Sequence, residues 1–272
     1  MTRERVATVT GAARGIGRGI ALALAEECRA VIAVDVLAGP LAETTAMIRE
    51  RGADAVDVLA DVRDIDAVRS CVEATADRFG RLDILINNAG YGVVKPSLEQ
   101  TEEDWDSVID SCLKATFFFS QAAARVMIPA RRGVILNISS ICGLGGWPRR
   151  VPYSAAKAGI VRITEGLGAE WALHDVRVVG IAPGHILTKR LLEIEAEGTI
   201  DLSNMRRRTP PGRLGQVDDI VHAVRFLVSD DARHITGVVL PVDGGYASYD
   251  APEAIQFELR ETSDAHEGGG TS

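Results

Sequence analysis

Residues 6 to 17 read V-A-T-V-T-G-A-A-R-G-I-G, and an alanine- and leucine-rich segment continues to about Glu27. Val6 to Thr10 is short, β-branched and stops at a glycine, which predicts a buried strand. Gly11, Gly15 and Gly17 then permit a tight turn into the helix that the alanines and leucines predict. In a strand, turn and helix of this kind the glycines let a pyrophosphate approach the backbone, and the helix N-terminus supplies free N–H groups. The spacing is G-x-x-x-G-x-G, not the commoner G-x-G-x-x-G. A tight turn without ligand is the plainer explanation, and the context favours binding over it.

The following strand ends carry residues of the same character. Ala30 to Val34 is an apolar strand that ends in Asp35, an acid about 20 residues past the glycine turn. An acid there is placed to bind ribose hydroxyls and to repel a 2′-phosphate, while Val36 and Leu37 offer no arginine for one. NAD is therefore expected over NADP, with Arg14 able to soften the preference. The plainer role for Asp35 is to cap the next turn. Ala55 to Leu59 predicts a third strand ending near Asp61 and Val62, a pair suited to an adenine edge. A helix is expected at Ile65 to Phe79 and a fourth strand at Leu82 to Ile86, which runs into Asn87-Asn88-Ala89-Gly90. In an open parallel sheet ligands collect outside the carboxyl ends of the strands.

A second decisive stretch is residues 134 to 160. Val134 to Ile138 predicts a strand that delivers two serines to its end, and a glycine-rich loop leads to a small-residue helix carrying Tyr153 and Lys157. Four residues apart on a helix, those side chains share one face. An ammonium held beside a phenol favours the phenolate and moves its midpoint down from about 10 towards working pH. A phenol tuned that way takes a proton from an alcohol or returns one to a carbonyl oxygen. Ser140 lies before a loop long enough to fold its hydroxyl back to the same oxygen. Taken alone, Y-x-x-x-K also fits an ordinary amphipathic helix surface, and the rest of the chain decides against that.

The remaining elements are plainer. Thr101-Glu-Glu-Asp104 is a helix start, and the helix is expected to run towards Met127. Its Phe117, Phe118 and Phe119 cannot all face one core, so part of it is expected to pack on another helix or subunit. Val176 to Ile181 predicts a strand ending in Pro183-Gly184. Residues 185 to 213 read as polar and irregular, a lid or substrate loop. A helix at Val217 to Val228 and a strand at Gly237 to Val242 close a single domain spanning 1 to 249. Residues 250 to 272, acidic and then rich in Gly, Ser and Thr, are expected to be a weakly ordered extension.

Among the 272 residues, 46% are hydrophobic and 25% charged, the mix of a soluble globular chain. A net charge of −8 argues against nucleic acid or an anionic membrane as the main partner. The charged N-terminus passes straight into a strand and no apolar run reaches membrane-spanning length, so a cytoplasmic protein without signal peptide is expected. Cys28, Cys71, Cys112 and Cys142, like the five histidines, lack ligand spacing; reduced structural thiols and no metal are expected.

With these residues assembled, the chain resembles the short-chain dehydrogenase/reductase family over about residues 5 to 248. The matching pieces are T-G-A-A-R-G-I-G (Thr10 to Gly17), N-N-A-G (Asn87 to Gly90), Ser140, Y-S-A-A-K (Tyr153 to Lys157), P-G-H-I-L-T (Pro183 to Thr188) and V-D-G-G-Y (Val242 to Tyr246). The resemblance implies an α/β, doubly wound Rossmann-type fold with a seven-stranded parallel sheet flanked by helices. It implies hydride transfer between a nicotinamide and a carbonyl or secondary alcohol, with Tyr153 as acid/base, Lys157 on the nicotinamide ribose and Ser140 on the substrate oxygen. Gly11, Arg14, Gly15, Ile16 and Gly17 would line the pyrophosphate and ribose, Asp61 and Val62 the adenine, and Asn88, Ala89 and Gly90 the adenosine side. Thr188 would lie near the carboxamide, and Pro183, Gly184 and Ile186 are further cofactor-binding candidates. Pairing into homotetramers or homodimers is common in the family. Two positions depart from its pattern. Cys112 stands where the family usually carries an asparagine that orders a water chain to the lysine, which predicts a slowed proton relay. Val179 replaces another asparagine, a change expected to be structural.

Substrate choice is expected from Cys142 to Pro152 and the segment after Thr188. Trp147 suggests an apolar wall, and Arg149, Arg150, Lys189 and Arg190 suggest an anion site, against the duller reading of solvated loop charge. The favoured activity is an NAD-dependent dehydrogenase of a secondary alcohol, sugar, polyol or hydroxy acid. A 3-oxoacyl thioester reductase using NADPH shares almost every motif, and a cofactor-binding regulatory protein with decayed chemistry is the reading from another class.

Overall fold

β1 (Val6–Thr10) is buried along its whole length and turns into α1 (Gly15–Ala25), as the β-branched run and the glycines require. The computed structural model describes residues 4–198 and 201–249, so the expected C-terminal extension lies outside the described residues. β2 (Ala30–Asp35), α2 (Ala38–Glu50), β3 (Asp54–Leu59), α3 (Ile65–Phe79) and β4 (Ile84–Asn87) follow. A continuous helical run comes next: α4 (Glu102–Val108), a π-helical turn at Ile109–Lys114, and α5 (Ala115–Ala130). β5 (Gly133–Ile138), α6 (Val151–Trp171) and β6 (Val176–Pro183) lead to a last part holding β7 (Ile186–Leu187), α7 (Lys189–Ala196), α8 (Ser203–Arg208), β8 (Gly215–Gln216), α9 (Val217–Val228) and β9 (Val239–Val242).

Seven strands form one parallel sheet in the order β3-β2-β1-β4-β5-β6-β9, and β7 and β8 form a separate pair. Helices cover both faces. Along β2, Val31 and Ala33 meet Ile20, Leu24, Leu41 and Val224 on one side, while Ala30, Ile32 and Val34 meet Val68, Val72, Phe119 and Met127 on the other. Strands buried on both faces read as unbroken apolar runs, which is why period-two alternation is missing from the sequence here. The strand order reverses between β1 and β4, and a crevice opens at that point outside the carboxyl ends of the strands.

Local signals set several boundaries. The Asp64 carboxylate accepts from the N–H groups of Asp66 and Ala67 to start α3, and Gly80, at φ 72°, ends it. Thr101 and Asp104 form a capping box at α4. Lys95 and the Thr101 backbone hold the Asp104 carboxyl down to about 2.

The structure corrects some expectations. Residues 185 to 213 are not irregular: α7 and α8 occupy most of the described part, the Thr188 hydroxyl accepts from Leu191 N, and Leu202 and Leu214 are buried anchors. The helix after Thr101 runs past Met127 to Ala130, through the π-helical turn. The fourth strand begins at Ile84; Asp83 before it still bonds to both neighbouring strands through its backbone, and its carboxylate accepts from Val6 N and pairs with Arg81. The last begins at Val239, after Gly237 at φ 67° has bonded to Val178 O. Phe119 lies in the core and Phe117 packs against it, so two of the three phenylalanines are absorbed within the chain. All four cysteines are free and buried. No helix among the described residues is long and apolar enough to cross a membrane.

Candidate active site

At the crevice the β1–α1 turn takes the form its glycines require. Gly11 (φ 65°) and Gly15 (φ 58°) occupy the left-handed region, and a Cβ on Gly17 would collide with the Gly11 carbonyl. Asn88, at the end of β4, locks the turn: its Nδ2 donates to Thr10 O at 2.9 Å and Gly11 O at 3.1 Å, while its own N–H and that of Ala89 donate to the Thr10 hydroxyl. Asp35 closes the other side. One carboxylate oxygen accepts from Ala13 N at 2.9 Å, and the other from Val36 N and Leu37 N. Asp35 therefore braces the loop as well as facing the crevice, and Leu37 is the N-cap of α2.

A cavity of about 440 Å³ fills this crevice. Gly11, Arg14, Ile16 and Gly17 line it from the first turn, Asp35 from β2, Asp61 and Val62 from beyond β3, Asn88, Ala89 and Gly90 from beyond β4, and Thr188 from the opposite wall. Gly15 faces the Thr188 methyl group. Pro183 ends β6, Gly184 packs against Asp243, and Ile186 is a core residue, so these three lie outside the lining. Four lining residues escaped sequence reasoning, Ala60, Arg63, Tyr91 and Ser111. Arg63 grips Asp61 with two nitrogens, Nε at 2.9 Å and Nη2 at 2.6 Å, and this bond holds the Asp61 carboxyl below its usual range. Ser111 reaches the cavity from the π-helical turn. The glycine cradle, which side chains would fill, and the carboxylate beside it fit a dinucleotide.

The second constellation stands on a buried polar support. Asn87 Nδ2 donates to Asn137 Oδ1 and Ser120 Oγ, and Asn137 Nδ2 donates to Thr164 Oγ1, which ties β4, α5, β5 and α6 together. Ser139 Oγ donates to the Lys157 carbonyl at 2.9 Å, and a Cβ on Gly143 would come within 2.6 Å of that carbonyl, so the loop after β5 is pressed onto α6. Ser140 Oγ accepts from Cys142 N at 3.1 Å, which leaves its proton for another acceptor. Lys157 is 3% exposed; its Nζ donates to Ile138 O at 2.7 Å and lies 5.5 Å from the Tyr153 ring centroid. Tyr153 is half-buried, and a Cβ on Gly92 would stand 3.0 Å from its ring. Cys112 is fully buried and donates through Sγ to Tyr91 O at 3.4 Å.

Around the outer loops, Trp147 meets His185 and Tyr246, a pair the sequence did not single out, for no local pattern links their three segments. Of the four cations named from sequence, Arg190 is taken up by Glu193 and Glu197, whereas Arg150 acts on His185.

Comparison with known proteins agrees with this geometry. A family model described as enoyl-(acyl carrier protein) reductase matches residues 11–247. FabG of Staphylococcus aureus, a 3-oxoacyl-(acyl-carrier-protein) reductase, is 38% identical over 90% of this chain and 99% of its own length. An uncharacterized short-chain type dehydrogenase/reductase of Sinorhizobium fredii is 38% identical over 91% of this chain, which spans only 44% of that longer protein. Among solved structures, NAD+-bound xylitol dehydrogenase superposes with a TM-score of 0.84 at 32% identity, covering 89% of this chain and 99% of its own. The chain belongs to the short-chain dehydrogenase/reductase family. It is an oxidoreductase acting on CH–OH or carbonyl groups, of a family that binds NAD(P).

Proposed function

We propose that this enzyme transfers hydride between NAD(H) and a secondary alcohol or its ketone, with Tyr153 as the acid/base. The observation that carries it is the buried Lys157 ammonium, held between the Ile138 carbonyl and the Tyr153 ring. The nicotinamide, when bound, supplies the hydride acceptor or donor. In the oxidative direction Tyr153 takes the alcohol proton, and Lys157 places positive charge where the phenolate's negative charge develops. Ser140 donates to the substrate oxygen, since its lone pair is engaged by Cys142 N. Gly92 leaves room for the Tyr153 ring to lie flat against the chain.

NAD over NADP is supported by the Asp35 carboxylate on the cavity wall and by the neighbouring Val36 and Leu37. The thioester-reductase reading is favoured by the likeness to FabG and by Arg14, which is exposed at the cavity rim. Titration with NADH and NADPH, followed by turnover of secondary alcohols and ketones, separates them. Tighter NADPH binding with reduction of a 3-oxoacyl thioester would replace the first reading; cofactor binding without any turnover would leave a regulatory protein.

Association into dimers or tetramers is supported by exposed Phe226 on α9 and exposed Val238 and Leu240 at the outer strand β9, an open apolar edge. Light scattering after size exclusion tests it, and a monomer at micromolar concentration would refute it.

A further inference from the structure

Trp147, His185 and Tyr246 form one aromatic cluster next to the loop that follows Ser140. Trp147 and Tyr246 stack at 5.8 Å with 20° between their planes, and His185 stands edge-on to both, at 5.8 Å and 5.1 Å. The Arg208 guanidinium, at the end of α8, lies 4.7 Å from the Tyr246 ring centroid. Trp147, Tyr246 and Arg208, together with Ile141 and Leu144, bound a cavity of about 300 Å³, and His185 packs behind the two rings outside the lining. It begins at the residue after Ser140 and is separate from the crevice between β1 and β4.

Two features of this cavity call for a group that the described protein does not supply. Arg208 has no carboxylate partner among the described residues, although its neighbour Arg206 pairs with Glu195 and Arg207 bonds to Asn204. Arg150, outside the lining, has no carboxylate partner among the described residues either, and its charge and that of Arg208 both act on His185. The Tyr249 hydroxyl, in the lining, is buried without a hydrogen-bond partner, a state costing on the order of 1–3 kcal/mol if left unmet. Burial, with the two arginines, pushes His185 down to about 4, so the imidazole is neutral and adds no third positive charge. A cation over an apolar aromatic wall, beside an idle hydroxyl donor, suits an oxyanion attached to an apolar body.

We propose that this cavity is the distal substrate subsite and that it selects substrates bearing a carboxylate, which Arg208 holds while the apolar body lies on Trp147 and Tyr246. The proposal rests on the hydride-transfer reading only in calling the occupant a substrate. Binding of the anion is independent of turnover.

The test is calorimetric titration of the NADH-saturated enzyme with benzoate and with its uncharged isostere benzamide. Benzoate should bind at least about tenfold more tightly. Arg208→Gln should bring the two within about twofold, and Arg208→Lys should retain most of the difference, because it keeps the charge and loses only the planar fork. Thermal melting and NADH affinity in the same samples report folding. Should Arg208→Gln fail to fold, Arg208→Lys and the salt dependence of wild-type benzoate binding carry the test, since only the charged probe weakens with salt. Equal affinities for the two probes in wild type, or a benzoate preference untouched in folded Arg208→Gln, overturns the subsite. Benzoate selectivity without turnover of any alcohol or ketone would sink the hydride-transfer reading and leave the anion site standing; turnover without selectivity would do the reverse.

Discussion

Lys157 Nζ is fixed by a 2.7 Å hydrogen bond to the carbonyl of Ile138, the last residue of β5, and in that position its ammonium lies 5.5 Å from the Tyr153 ring. A strand end thus sets where the charge on a helix stands. Tyr153→Phe removes the proton carrier and should lower kcat about 10²–10⁴-fold. NADH affinity should change little, and steady-state kinetics beside a fluorescence titration reads both.

Asp35 accepts three backbone N–H bonds at the mouth of the crevice. Asp35→Ala should therefore act twice. NADH affinity should fall about tenfold relative to NADPH, and the melting temperature should drop, reflecting a loss of about 1 kcal/mol as the part-buried N–H groups of Ala13 and Leu37 lose a charged acceptor. An unchanged cofactor ratio would remove Asp35 as the selector.

Gly92 faces the Tyr153 ring so closely that a Cβ would stand at 3.0 Å. Gly92→Ala should shift the phenol by a few tenths of an ångström and reduce kcat roughly tenfold, with the melting temperature nearly unchanged. The split between kcat and stability is the readout.

Cys112 occupies the π-helical turn with its thiol on the Tyr91 carbonyl and its sulfur close to Gly90. A thiol is a poor relay, so Cys112→Asn should raise kcat. Turnover measured across pH tests it, and an unchanged or lower kcat counts against the relay.

His185 titrates at about 4 in the folded chain, held down by burial and by Arg150 and Arg208, against about 6.5 when unfolded. As pH falls below 6.5 the unfolded chain binds the proton first. The stability from neutral His185 is therefore full above 6.5 and is lost progressively down to about 4, an amount on the order of 3 kcal/mol. Melting temperatures between pH 7 and 4 should fall more steeply in wild type than in His185→Gln.

Chain order alone determined the strand, turn and helix at the glycines, the limits of α3 and α9, the capping box at Thr101 and the pairing of Tyr153 with Lys157 on α6. These are local matters: β-branched runs, caps and the four-residue period of a helix act within a dozen residues and leave their mark in order. Tertiary structure decided the rest. The helices α7 and α8 are short, and polar residues hide the few anchors, Leu202 and Leu214, that hold the segment down. Asp35 looks like a ribose ligand in sequence, but its hold on Ala13 N appears only when β2 lies beside β1. The meeting of Trp147, His185, Arg208 and Tyr246 depends on segments far apart in the chain, brought together by the packing of loops over the sheet end, and no periodicity records it.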